Sequence, residues 1–126
     1  MVFNTELFGP PIWTSMHLIA HSYPTNPTHK DKENYKQFFQ NLANVLPCID
    51  CQNHFKMTLK KYPLDSDVMK SRESLSKWCY TVHSFVNRNI PGKDYTPPTL
   101  RDVKSLYNKE LTGQVKYKSD IKFTRL

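Results

Sequence analysis

The chain has 126 residues, 38% of them hydrophobic and 13% aromatic, with a formal net charge of +7. That length suits one domain, and the aromatic content excludes wholesale disorder. Three Gly against nine Pro exclude a many-stranded sandwich built on Gly-rich turns, and no apolar run approaches the roughly 20 residues of a membrane helix.

The elements follow in chain order. Pro10 and Pro11 fit the first turn of a helix, where a missing N–H does no harm. Trp13, Met16, His17 and Ala20 then recur at helical spacing until Pro24. Thr28 caps a second helix, with Asp31 at the capping-box position. Its expected apolar face is Tyr35, Phe38, Phe39, Leu42 and Val45. Pro47 ends it. A third helix is expected from Cys48 to Lys60, with Phe55, Leu59 and Tyr62 on one side, and Pro63 closes it. Residues 64–70 read as a polar loop. Ser71 caps a fourth helix carrying Leu75, Trp78, Cys79, Val82 and Val86, ended by Pro91-Gly92. A short fifth helix spans Pro97 to Leu111, with Leu100, Val103, Tyr107 and Leu111 on its apolar face. Nothing alternates with period two, so the expected fold is all-α: a four-helix bundle with a short fifth helix. Residues 1–111 would form the domain and 112–126 a basic C-terminal tail.

The N-terminus has no basic region followed by an apolar stretch, so no cleaved signal peptide is expected. Three cysteines cannot all pair within one chain, which disfavours a disulfide-stapled secreted scaffold.

The sharpest motif is Cys48-Ile49-Asp50-Cys51. Two cysteines three apart at a helix start sit where partial positive charge and unpaired N–H groups stabilise a thiolate, the reactive form. The same spacing also serves a zinc site, with Cys48, Cys51 and His54 completed by Cys79 or His83. Both readings stand on spacing alone. On the fourth helix His83 and Asn87 lie four apart and share a face. Two such groups beside a core are costly unless partnered, which favours a polar ligand between helices. His17 sits in the apolar register of Trp13 and needs an internal partner, whereas His21 reads as a surface residue. A nucleic-acid reading of the +7 charge is weak, because the basic residues scatter from Lys30 to Arg125 without a dense stripe.

Taken as an ordered series, these residues resemble the flavin-dependent sulfhydryl oxidases of the Erv/ALR family. The series is Trp13-Thr14-Ser15-Met16-His17, Tyr23-Pro24, Pro27-Thr28, Pro47-Cys48-Ile49-Asp50-Cys51, His54-Phe55, Trp78, His83, Val86, Asn87, Lys93 and Tyr95. It covers roughly residues 8–107. The resemblance implies non-covalent FAD and an enzyme that makes disulfides in protein thiols, passing electrons through flavin to O2 to give H2O2. By match to the motif, Cys51 lies against the flavin ring as the charge-transfer thiolate and Cys48 exchanges with substrate. Trp13, His17, Tyr23, His54, Trp78, His83, Val86, Asn87, Lys93 and Tyr95 would line the FAD, and no metal is expected.

The departures from the family pattern are specific. Pro10 and Pro11 occupy the stretch where many members carry Arg. Ser84 replaces the Asn that usually follows the helix-four His. Cys79 lies one residue after Trp78 rather than two, which leaves it a free, buried thiol. No second CxxC or CxC flanks the domain, so the chain would take electrons directly from a protein dithiol or from a small dithiol or thioredoxin-like carrier. This resembles the minimal single-domain members of large DNA viruses, which implies the host cytoplasm, virus factory or virion as location. A homodimer is implied by the family habit of packing the first two helices, and neither nucleic acid nor membrane is an expected partner.

Overall fold

The computed structural model describes residues 5–89, 96 and 98–113. They form six helices and no strand: α1 (Thr5–His21), α2 (His29–Val45), α3 (Ile49–Lys61), α4 (Ser66–Met69), α5 (Arg72–Arg88) and α6 (Leu100–Leu111). Four long helices with a shorter last one match the expected all-α bundle. No described helix is long and apolar enough to cross a membrane.

The helix starts are written in the sequence. Thr28 accepts from the Asp31 N–H while the Asp31 carboxylate accepts from the Thr28 N–H, a complete capping box for α2. Ser71 and Ser74 do the same for α5. Thr99 Oγ1 accepts from the Asp102 N–H at the start of α6, so that helix begins after Thr99 and not at Pro97, which lies outside the described residues. Pro91-Gly92 also lies outside them; α5 itself ends at Arg88.

Three expectations are corrected. First, α1 begins at Thr5, so Pro10 and Pro11 lie inside the helix. The proline ring removes an N–H but holds φ at a helical value, so the helix can extend back past it at the cost of those bonds. Second, residues 64–70 are not a polar loop. Asp65 caps the single turn of α4 by accepting from the Val68 N–H, and Leu64 and Met69 are buried. Third, Phe38 and Val45 are exposed, at 37% and 68%. The inner face of α2 instead runs through Tyr35, Phe39, Leu42 and Ala43, on to Leu46. Leu111, at 45% exposure, also lies off the inner face of α6.

α5 is the hub. It packs against α1, α3, α4 and α6, while α2 packs on α3 and α6 also meets α1. Surrounded this way, α5 buries polar side chains as well as apolar ones: Ser76, His83, Ser84 and Asn87 join Leu75, Trp78, Cys79, Val82 and Val86. The main core runs from Trp13 and Met16 through Phe39 and Phe55 to Val82. A smaller core holds α6 in place, with Val103 and Tyr107 packed against Leu18 and Tyr80. Tyr80 Oη donates to the Pro98 carbonyl, which fastens the approach to α6.

Candidate functional site

Cys48 is the N-cap of α3. Its extended backbone (φ −140°, ψ 127°) lets Sγ accept from the Cys51 N–H at 3.3 Å, and its carbonyl accepts from the Gln52 N–H at 2.9 Å. The Gln52 side chain reaches back to donate to the Leu46 carbonyl at 2.8 Å, which pins the three-residue link between α2 and α3. Both thiols are free and half-buried. Burial, the hydrogen bond with Cys48 and the nearby Asp50 push the Cys51 thiol up to about 12. Desolvation is the largest cause, and it acts against the thiolate that a helix N-terminus favours. Cys79 is free and fully buried, and its thiol is pushed up by desolvation alone.

A second cluster forms where α1, α5 and α6 meet. Trp13 stacks on His83 with centroids 4.0 Å apart and planes 6° from parallel. His17 Nε2 and His83 Nδ1 are 2.8 Å apart, both residues fully buried. Tyr107 stacks on His17 at 4.8 Å and 15°. The expectation that His17 needs an internal partner is thus met by another of the singled-out residues. Desolvation, with a smaller contribution from His21, lowers the His17 pKa to about 3 and keeps that ring neutral.

His21 is not a surface residue: it is 5% exposed. Its Nδ1 lies 2.8 Å from the His17 carbonyl, and a carbonyl can only accept, so Nδ1 carries the proton. Burial lowers its pKa as well. Its Nε2 then presents a buried lone pair with no hydrogen bond among the described residues; the Trp13 Nε1–H, Ser84 Oγ and Asn87 Oδ1 are likewise buried without one. Four orphaned polar atoms on α1 and α5 are costly in a dry core, each about 1–3 kcal/mol. One donor (Trp13), two acceptors and a hydroxyl, set among flat rings, fit a planar group with both polar edges and aromatic faces. Asn87 and Val86 lie one turn beyond His83 on α5, and both are buried.

The other expected cofactor residues are placed elsewhere. Tyr23 Oη donates to the Met69 carbonyl at 2.7 Å and its ring meets Tyr35, so it ties the end of α1 to α4. Trp78 Nε1 donates to the Tyr62 carbonyl at 2.8 Å, and its ring meets the edge of Phe39. Trp78 also lines an open cleft of about 350 Å³ with Lys61, Tyr62, Val68 and Lys77. His54 lies parallel to Phe85 with centroids 6.4 Å apart. Lys93 and Tyr95 lie outside the described residues. His21 and Tyr107, outside the expected set, also join the cluster around His17. Tyr107 was legible only as one more apolar position of α6, and the spacing of His17 and His21, one turn apart, was the one available signal for the other.

The zinc arrangement is not assembled: among the described residues no three His, Cys, Asp or Glu side chains gather as a metal site. Cys79 is enclosed in the core and His83 is engaged with His17.

Comparison with known proteins agrees with this architecture. The chain is 43% identical over 95 residues to a protein of Acanthamoeba polyphaga mimivirus named "Probable FAD-linked sulfhydryl oxidase", covering 75% of this chain and 66% of that one. It is 35% identical over 85 residues to the "FAD-linked sulfhydryl oxidase ERV1" of Arabidopsis thaliana, covering 68% of this chain and 43% of that one. An African swine fever virus "FAD-linked sulfhydryl oxidase" is 26% identical over 110 residues, 87% of either chain. The chain thus spans under half of the plant relative and just under two thirds of the mimivirus one. Among solved structures, the FAD-binding domain of Erv1 from Saccharomyces cerevisiae superposes with a TM-score of 0.69 at 24% identity, covering 91% of this chain and 100% of that one, and the yeast Erv1 core with 0.67 at 24% identity, covering 97% and 90%. Those two carry the fold. The family model of the Erv1 / Alr family matches residues 10–107, well over half of the sequence, and the chain belongs to that family.

Proposed function

We propose that the chain is an FAD-linked sulfhydryl oxidase that forms disulfides in protein thiols through Cys48 and Cys51. The observation that carries this reading is the free Cys48/Cys51 pair at the start of α3, capping the helix in a member of this family. A substrate thiolate attacks Cys48 Sγ of the oxidised pair. A bond forms between the two sulfurs, the Cys48–Cys51 bond breaks, and the electron pair leaves on Cys51. The second substrate thiolate attacks the first substrate sulfur, closes the substrate disulfide and releases Cys48. Two electrons and two protons have then left the substrate. FAD, when bound, supplies their outlet by accepting the electrons and handing them to dioxygen, which gives hydrogen peroxide.

The protein's own contribution is binding and orientation. Trp13, His17, His83, Val86 and Asn87 hold the cofactor, with His21 and Tyr107 added to the expected set. Tyr23, His54, Trp78, Lys93 and Tyr95 complete that set by match to the family motif. The oxidase domain occupies residues 1–111. Protein dithiols or a small dithiol or thioredoxin-like carrier serve as donors. Homodimer formation through α1 and α2 is supported by the exposed Leu7 and Phe38. The viral relatives support action in host cytoplasm, a virus factory or a virion.

The test is the absorbance of the purified protein followed by oxygen uptake with dithiothreitol. A yellow protein that consumes oxygen is expected, and Cys48→Ser keeps the flavin and loses turnover. A colourless protein carrying stoichiometric zinc would overturn the reading.

A further inference from the structure

The chain carries +7, yet its charge stops short of the reactive pair. From residue 37 to residue 55 there is no Lys or Arg and a single acid, Asp50. Cys48 lies within this stretch, seven residues from its nearer end. Around it, the chain exposes carbon. Val45 closes α2 at 68% exposure, Ile49 opens α3 at 69%, and Pro47 between them is exposed. All three lie within three residues of Cys48, so their Cα atoms are no more than about 11 Å from its own. The buried Leu46 and the Gln52 bond to its carbonyl hold this link in place.

Large exposed aliphatics on a helix end and the adjoining helix start are costly unless something covers them. A protein segment that places a sulfur on Cys48 Sγ passes over this rim. Resting on the oxidase reading above, we infer that Val45, Pro47 and Ile49 form the docking rim for protein segments whose cysteines are flanked by uncharged, apolar side chains. Charge steering plays little part, because the stretch holds no cation to attract acidic segments and one carboxylate to attract basic ones.

The experiment compares reduced dithiol peptides flanked by Leu, by Glu or by Lys, with dithiothreitol as a donor too small to use the rim. The flavin-loaded full chain and its Val45→Ser variant are assayed by oxygen uptake. The Leu-flanked peptide is expected to have the lowest KM, nearly unchanged by salt. The Val45→Ser variant is expected to raise that KM about tenfold, as losing the burial of an aliphatic side chain would. It leaves dithiothreitol turnover within about twofold, since burial and not chemistry is lost. An unchanged KM for the Leu-flanked peptide, or an equal loss for every donor including dithiothreitol, overturns the rim. A variant that loses self-association while keeping the peptide KM assigns the patch to a second copy of the chain and also overturns it. Failure of the unmodified protein to oxidise dithiothreitol removes the oxidase reading, and the rim with it.

Discussion

The indole of Trp13 and the imidazole of His83 lie face to face, 4.0 Å apart and 6° from parallel, joining α1 to α5 at the point where His17 meets His83 from the side. One ring therefore does two jobs, offering a face to Trp13 and a nitrogen to His17. The jobs can be separated. His83→Phe keeps the face and removes the nitrogen, and is expected to cost about 1–3 kcal/mol in urea unfolding. His83→Ala removes both and should cost more, by about 1 kcal/mol for the lost stacking alone. Equal losses in the two variants would show that the stack contributes nothing.

Acid should weaken the fold through His17. Its pKa is about 3 in the folded chain, against 6.5 for the free side chain. The unfolded chain therefore binds more protons between those values, so stability is complete above pH 6.5 and falls as pH drops toward 3. The slope approaches about 1.4 kcal/mol per pH unit from this ring, and His21, lowered too, acts in the same direction. Chemical denaturation at pH 7 and pH 5 reads it directly. His17→Gln is expected to flatten the dependence while lowering stability at pH 7, and an unchanged slope would refute the assignment.

The three thiols should differ in reactivity. Burial and the neighbouring Cys48 push the Cys51 thiol up, and Cys79 is both enclosed and shifted upward. Only thiolates alkylate at useful rates. Brief treatment of the reduced, flavin-free protein with iodoacetamide at pH 8 is expected to place one adduct, on Cys48, as peptide mass spectrometry would locate. Early labelling of Cys51 would mean that its surroundings favour the anion after all.

Cys79 is expected to be a packing residue. Cys79→Ala should retain thiol oxidation and lose about 1 kcal/mol of stability, the usual effect of removing a small buried group. A flavin-loaded Cys79→Ala protein without turnover would give this thiol a role in electron transfer.

Much of this was written locally in the sequence. Thr28 with Asp31 and Ser71 with Ser74 set two helix starts through bonds spanning three residues, and the CxxC landed at the start of α3 for the same reason. What failed depended on distant contacts. Phe38 and Phe39 are adjacent, about 100° apart on the helix, and a face with period 3.6 accepts either. Only packing on α3 and the core chose Phe39. The single turn of α4 is too short for a period to show. His21 is buried because α6 brings Tyr107 over it, centroids 5.3 Å apart, a meeting of residues 86 positions apart that nothing near His21 announces. Of the residues expected at the cofactor, Trp13, His17 and His83 converge, while Tyr23 and Trp78 use their polar atoms on the Met69 and Tyr62 carbonyls.

The contact from the Cys51 N–H to Cys48 Sγ spans the same turn that a bond between the two sulfurs would close. With the thiols free, a hydrogen bond ties the first turn of α3; with them joined, a covalent link ties that same turn. The start of the helix is fastened in either redox state. Turnover can then proceed as a purely chemical cycle on a standing scaffold, with no folding step at α3 to limit its speed.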